Sequence, residues 1–326
     1  MKLENIGFYT LSDRRAFDSS KESNLERCEL ILTDRCNFRC VYCRGLRSDL
    51  KGDMPLSEAH RILDIWISHG LKNVRFSGGE PTLYKWLVEL VEKCKTAGVE
   101  HIAVSSNGSA GWSIYNQLLD AGVNDFSISL DSGCCSIGDD MAGGVCGSWD
   151  RVVENIRYLA TQTYVTVGMV FTEKNVHDCV EAVKFADSLG VSDIRVIPAA
   201  QYNRALNDLS VLPENVKIKY SILKYRIENT RNGLPLRGIP ENGSNACWLA
   251  LDDMAVASKY HFPCIIYMRE GGSPIGEIGD DVREQRHKFV QNHNTHKDKI
   301  CKEMCLDVCV AYNNKASKTH RRVNER

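Results

Sequence analysis

Apolar residues along this chain fall into two alternating kinds of run. Short, β-rich runs occupy Cys28–Thr33, Asn73–Ser77, His101–Ser105, Asp125–Leu130, Tyr164–Phe171 and Asp193–Ile197. Between them lie longer stretches with apolar positions three and four apart, the period of a helix buried on one face. These cover Ser57 to Gly70, Leu83–Ala97, Ser113–Ala121, Trp149–Thr161 and Asn175–Leu189. Pro55 and Ser57, the latter as an N-cap, open the first helix, and Gly70, Gly98, Gly122 and Gly190 stand where helices are expected to stop. Six strand–helix units in a row predict an α/β fold, a parallel sheet with helices outside it. Six units instead of eight predict a partial (βα)6 TIM-like barrel, with ligands beyond the C-terminal ends of the strands.

The flanking segments read differently. Residues 1–27 form an N-terminal extension with one apolar run, Ile6–Leu11, expected as an edge strand. The barrel takes residues 28–200. Residues 201–245 connect, with one helix expected around Lys217–Thr230. A small cysteine-rich unit follows at 246–312, where Trp248–Pro263 reads as a hairpin and Gly271–Gly276 as a turn. A basic tail closes the chain at 313–326, read as frayed and charged.

Composition narrows the class. The chain has 326 residues, 43% apolar and 25% charged, with formal net charge −1. That is the profile of an ordinary globular protein, and it supplies no overall basic character for non-specific nucleic-acid binding. No stretch of about 18 apolar residues predicts a transmembrane helix, and the start Met1-Lys2-Leu3-Glu4-Asn5 has no apolar core of a signal peptide. Fourteen cysteines are therefore expected to be reduced thiols in a cytoplasmic protein that uses some of them for metal.

Three of those thiols fall within Cys36-Asn37-Phe38-Arg39-Cys40-Val41-Tyr42-Cys43, spaced C-x3-C-x2-C directly after the first strand. A loop with three thiolates can hold three irons of a 4Fe–4S cluster and leave the fourth open, as catalytic metal sites keep an open position. Zinc is the competing reading. It asks for four ligands, and no fourth cysteine or histidine is adjacent in sequence. A second group, Cys247, Cys264, Cys301, Cys305 and Cys309, lies near the C-terminus. Its last three members are four apart and would share one face of a helix. Zinc competes there as well.

Strand two runs into Ser77-Gly78-Gly79-Glu80-Pro81, and strands three and four end at Asn107 and at Ser129 and Asp131. All are at the end of the sheet where a ligand is expected. The Gly-rich stretch Ser132–Trp149 reads as a mobile lid over the mouth, with Cys134, Cys135 and Cys146 as loop fillers. Cys28, Cys94 and Cys179 fall on core faces, while His287, His293 and His296 fall in a polar linker read as solvated.

The cysteine loop followed by the Gly-Gly-Glu-Pro turn resembles the radical S-adenosylmethionine (SAM) enzymes. The C-terminal cysteines resemble the SPASM/twitch extensions of that family. The resemblance implies a SAM-binding 4Fe–4S cluster on Cys36, Cys40 and Cys43. It implies SAM held near Tyr42, Gly78, Gly79, Glu80, Asn107, Ser129 and Asp131. It also implies one auxiliary iron–sulfur cluster on four of Cys247, Cys264, Cys301, Cys305 and Cys309. The implied chemistry is reductive cleavage of SAM, driven by an external flavodoxin- or ferredoxin-type one-electron reductant, then hydrogen abstraction from a substrate. A small molecule or nucleotide is expected as that substrate. A peptide and a DNA or RNA base are the alternatives, and a non-catalytic zinc protein is the contrasting class.

Overall fold

A computed structural model describes residues 14–20, 22–199, 204–252 and 254–324. The Ile6–Leu11 run lies outside the described residues. Helix α1 (Arg15–Asp18) precedes strand β1 (Arg27–Thr33). The barrel units follow as α2 (Leu56–Ser68), β2 (Asn73–Gly78), α3 (Leu87–Thr96), β3 (His101–Ser106), α4 (Trp112–Ala121) and β4 (Asp125–Ser129). Helices α5 (Cys135–Met141) and α6 (Ser148–Gln162), strand β5 (Tyr164–Phe171), α7 (Cys179–Ser188) and β6 (Asp193–Pro198) complete them. The C-terminal part holds α8 (Arg204–Asp208), α9 (Glu214–Lys219), α10 (Ser221–Arg231), β7 (Ala255–Ala257), β8 (Tyr260–Phe262), α11 (Ile265–Arg269), β9 (Gly276–Glu277), α12 (Val282–Asn292), α13 (Lys299–Met304) and α14 (Asp307–Asn324).

Strands β1 to β6 are all parallel to their neighbours, in sequential order, as the strand–helix alternation predicts. Each strand alternates strictly between two environments. Cys28, Leu30 and Leu32, Val74 and Phe76, Ile102 and Val104, Phe126 and Ile128, and Val165 and Val167 are buried toward the helices. The opposite face carries Glu29, Arg75, Ser127, Gly168 and Arg195. A parallel sheet covered on both faces usually reads as continuously apolar. Period-two alternation here means that the inner face from β2 to β6 borders a polar cavity, while at β1 Ile31 packs into a small apolar cluster with Leu50, Ala257 and Phe262. Outside, α2 buries Ala59, Ile62, Leu63 and Trp66, spaced as one helical stripe. A fully buried side chain of the size of Trp66 or Leu63 contributes about 1.5–3 kcal/mol.

Several local expectations are corrected. Helix α2 starts at Leu56 with Pro55 at the cap position, so Ser57 lies inside the helix and caps nothing. Among the described residues of 201–245 there are three α-helices where one helix was expected, the break between α9 and α10 falling at Tyr220. The Trp248–Pro263 hairpin exists as β7 and β8, but it is not free-standing: β7 pairs parallel to β1. One sheet of nine strands, β6-β5-β4-β3-β2-β1-β7-β8-β9, runs from the barrel into the cysteine-rich region. Strand β1 is thus flanked on both sides, and all seven of its residues are buried. The tail is helical through Asn324, and α14 buries Tyr312 and Ala316 against Leu249 and Ala16. Its length of regular structure comes from that packing, which a reading of its charges alone does not see. Among the described residues no helix is long and apolar enough to cross a membrane.

Candidate functional site

Strand β1 ends at Thr33, and the cysteine loop turns across the C-terminal mouth of the sheet. Two neighbouring turns hold it there. The backbone N–H of Gly79 donates to the Thr33 carbonyl and that of Glu80 to the Arg35 carbonyl, both at 2.7 Å. This contact explains the glycines: a Cβ on Gly79 would sit 2.2 Å from the Arg35 carbonyl oxygen, and one on Gly78 2.4 Å from that of Thr33. No side chain fits at that approach. On the other flank Asn37 donates to Ser109 Oγ at 2.8 Å and accepts from Asn107 Nδ2 at 2.9 Å, which also points at Cys36 Sγ from 3.7 Å.

The stretch expected to be a mobile lid is instead a brace. It forms α5, whose end accepts hydrogen bonds from the loop: Arg39 N–H to the Ala142 carbonyl at 2.9 Å and Val41 N–H to that of Met141 at 3.3 Å. A Cβ at Gly143 would meet the Arg39 carbonyl oxygen at 2.6 Å, so close docking is again written in glycine.

Cys36, Cys40, Tyr42, Cys43, Gly78 and Gly79 line one cavity of roughly 1400 Å³. It opens between the strand ends and α11. That exceeds the usual few hundred to about 1000 Å³ of a single-ligand pocket. The three thiols lie within electrostatic reach of one another. Burial, then the Asp131 carboxylate and the two other thiols, pushes Cys40 up to about 12, and burial also raises Cys36. Three thiols on one cavity, with Cys36 and Cys40 resisting ionisation in the bare protein, are a donor set that wants a cation. A metal cluster stabilises the thiolates and replaces their protons.

Four other expected SAM contacts lie off this cavity's lining. Glu80 is fully buried, and its carboxylate accepts from Thr82 N and Oγ1 at 3.1 and 2.7 Å, Ser106 Oγ at 2.9 Å and Asn107 N at 2.7 Å. It ties the turns after β2 and β3 together. Asp131, also buried, accepts from Tyr42 Oη and from Val170 N–H, both at 2.7 Å. Burial pushes its carboxyl up to about 6, against the lowering effect of those two donors. Asn107 reaches the cysteine loop. Ser129 is exposed at the end of β4, paired in register with the lining residue Gly168.

The five C-terminal cysteines come together from separate elements. Cys247, Cys264, Cys301, Cys305 and Cys309 all line a second, small cavity of about 40 Å³, walled by Leu249, Met254, Pro263 and Ile300. Their single-helix geometry is corrected: α13 ends at Met304, Cys305 caps it in an extended conformation, and α14 starts at Asp307, with Leu306 bridging to Arg237 between them. The thiols nevertheless converge. Burial and the proximity of Cys309, Cys247, Cys264 and Cys301 push Cys305 far up, and Cys301 rises by burial and its thiol neighbours. His293, expected in solvent, is half-buried. It stacks on Phe289 and lies 3.5 Å from Cys301 Sγ, with Asp298 beside it. Ile265, Ile266 and Leu306 line both cavities and form the wall between them.

Cationic side chains of the large cavity escaped the motif-based reading. Arg75 and Arg195 stand in the middle of β2 and β6, and Arg226, Arg237 and Arg269 reach in from the C-terminal part. The signal was available for the first two: an arginine centred in a strand whose neighbours are apolar.

Residues 30–186 match the family model described as the Radical SAM superfamily. The chain is 29% identical over 177 residues to a probable GTP 3′,8-cyclase of Metallosphaera sedula, covering 53% of this chain and 55% of that protein. It is 37% identical over 111 residues to a GTP 3′,8-cyclase of Synechococcus elongatus, covering 32% and 33%. The chain spans about half the length of the first of these curated relatives. Among solved structures, it is similar to Streptococcus suis SuiB bound to the precursor peptide SuiA, with TM-score 0.62, 15% identity, and 90% and 77% of the two chains covered. It is also similar to anSMEcpe with bound AdoMet, with TM-score 0.59, 15% identity, and 92% and 96% covered.

Proposed function

We propose that this chain, whose residues 30–186 match the Radical SAM superfamily, is an enzyme that abstracts a hydrogen atom from a small-molecule or nucleotide substrate. The observation that carries the reading is the convergence of Cys36, Cys40 and Cys43 with the Gly78–Gly79 turn on one cavity at the C-terminal mouth of a parallel barrel. A 4Fe–4S cluster and SAM bound there would supply one-electron reductive cleavage, fed by an external flavodoxin- or ferredoxin-type donor.

The chain's own residues do the rest. Cys36, Cys40 and Cys43 would hold the cluster. The bare backbone of Gly78 and Gly79 lets the cysteine loop dock against the end of β2, and both glycines line the cavity. Tyr42 is fixed by Asp131, and the turns that carry Gly79 and Asn107 are fixed to one another by Glu80. In this assignment Glu80 and Asp131 position the site, and Tyr42, Gly78, Gly79, Asn107 and Ser129 border the cofactor. Cys247, Cys264, Cys301, Cys305 and Cys309 supply an auxiliary iron–sulfur site, one apolar wall away from the substrate cavity. The nucleotide half of the proposal is supported by the relatives named as GTP cyclases.

The test is anaerobic reconstitution with iron and sulfide, followed by absorption spectroscopy and measurement of 5′-deoxyadenosine released from SAM under a strong reductant. Replacing Cys36, Cys40 and Cys43 together by Ala is expected to abolish release. Unchanged release from that variant, or colourless protein carrying only zinc, overturns the reading.

A further inference from the structure

We propose that the substrate carries an oxyanion group, phosphoryl or carboxylate, and that it seats beside Arg195 on the inner face of the barrel. This rests on the radical SAM reading, which makes the large cavity the substrate site.

The first observation is charge. Nine arginine and lysine side chains line the cavity, with Asp34 and Glu173 the acids on its lining among the described residues. Five of the nine are paired with carboxylates outside the lining: Arg35 with Asp53, Arg44 with Glu270, Arg75 with Asp125, Arg195 with Asp193 and Arg226 with Asp307. Others are not held by carboxylates; Arg39 and Arg269 donate to backbone carbonyls. The cofactors do not absorb the surplus. Three thiolates on a doubly positive cluster core would leave one negative charge, and SAM, its amino group deprotonated to ligate iron, would add a sulfonium and a carboxylate that cancel, so the two together would offset one positive charge. The cationic wall is left for the substrate. Eight of the nine cations are arginines, whose planar fork suits phosphate and carboxylate.

The second observation is a seat. Arg195 is 5% exposed and lines the cavity from β6. Its Nε donates to Asp193 at 2.8 Å, while its Nη2 meets no hydrogen-bond acceptor among the described residues. A buried guanidinium N–H left open is costly, and such a group calls for a partner. Directly beside Arg195 in register is Gly168 on β5. A Cβ there would meet only the Ile128 carbonyl oxygen, at 3.9 Å, so the floor next to the guanidinium is sterically open. A cation and an open floor thus lie side by side on two neighbouring strands, and both residues line the cavity.

The experiment is calorimetric titration of the reconstituted full chain, at saturating SAM, with inorganic triphosphate and separately with citrate. At least one is expected to bind, with affinity falling as salt rises. Tighter binding of triphosphate identifies a phosphoryl substrate, and tighter binding of citrate a carboxylate. Arg195→Gln is expected to weaken the preferred ligand about tenfold or more, with partial recovery in Arg195→Lys. If Arg195→Gln does not fold, Gly168→Val replaces it, filling the floor without changing charge, with the same loss expected. No binding to the unaltered chain, equal binding by the variant that folds, or binding seen only without SAM overturns the proposal. Cluster absorption and 5′-deoxyadenosine release are measured on the same preparation. A loaded, SAM-cleaving protein that ignores both anions sinks this inference alone. Anion binding by protein that takes up no cluster supports this seat and sinks the radical SAM reading.

Discussion

The Tyr42 hydroxyl donates a 2.7 Å hydrogen bond to the carboxylate of Asp131, 89 positions further along the chain. The bond fixes the last turn of the cysteine loop to the end of β4, and Val170 on β5 holds the other carboxylate oxygen. The loop is thereby referenced to the sheet through a buried acid.

That acid has a pH signature. Burial raises Asp131 from 3.8 to about 6 in the folded chain. Between those values the folded protein holds a proton that the unfolded chain has lost. Stability from this residue is therefore greatest below about pH 4 and declines as pH rises to about 6. Asp131→Asn keeps the shape and cannot ionise. Chemical denaturation of the cluster-free protein from pH 4 to 7 should show the parent losing on the order of 2 kcal/mol relative to the variant. Parallel curves for the two proteins would refute this.

Gly79→Ala puts a methyl group 2.2 Å from the Arg35 carbonyl oxygen. Backbone must move, and it is the backbone that carries the cysteine loop. A loss of about 2–4 kcal/mol is expected, together with reduced iron uptake at the N-terminal site. Urea melts and iron analysis measure both. Unaltered stability would mean the turn is looser than the structure shows.

Arg226 and Asp307 pair at 3.2 Å with their side chains almost wholly buried, and Arg226 Nη1 also donates to the Val196 carbonyl at 2.6 Å. The pair fixes α10 and the start of α14 to β6. Arg226→Met leaves Asp307 buried and uncompensated, at an expected cost of about 3–5 kcal/mol. Arg226→Met combined with Asp307→Leu should recover much of that loss. The double-mutant cycle reads the coupling directly.

Two iron–sulfur sites predict about eight irons per chain. Replacing Cys36, Cys40 and Cys43 should remove about half. Replacing Cys301 and Cys305 should remove the other half while leaving SAM-dependent spectral changes in place. Iron that falls to zero in either variant, or zinc recovered from the C-terminal site, contradicts two independent clusters.

The sequence by itself determined the barrel and its reactive loop. Alternation of short and long apolar runs located all six barrel strands within one residue at either end, because burial against outer helices imposes a strict local period. Thiol spacing in Cys36–Cys43 needed only three nearby residues to be informative. Tertiary structure decided what depends on partners distant in the chain. It added β7 beside β1, gathered five cysteines from several C-terminal elements into one cavity, and placed Glu80 and Asp131 behind the site as anchors. It also turned a glycine-rich lid into a docked helix. A polar residue at a strand tip has the same local pattern whether it faces ligand or buried donor. Only the positions of those donors, set by packing of remote segments, distinguish the two.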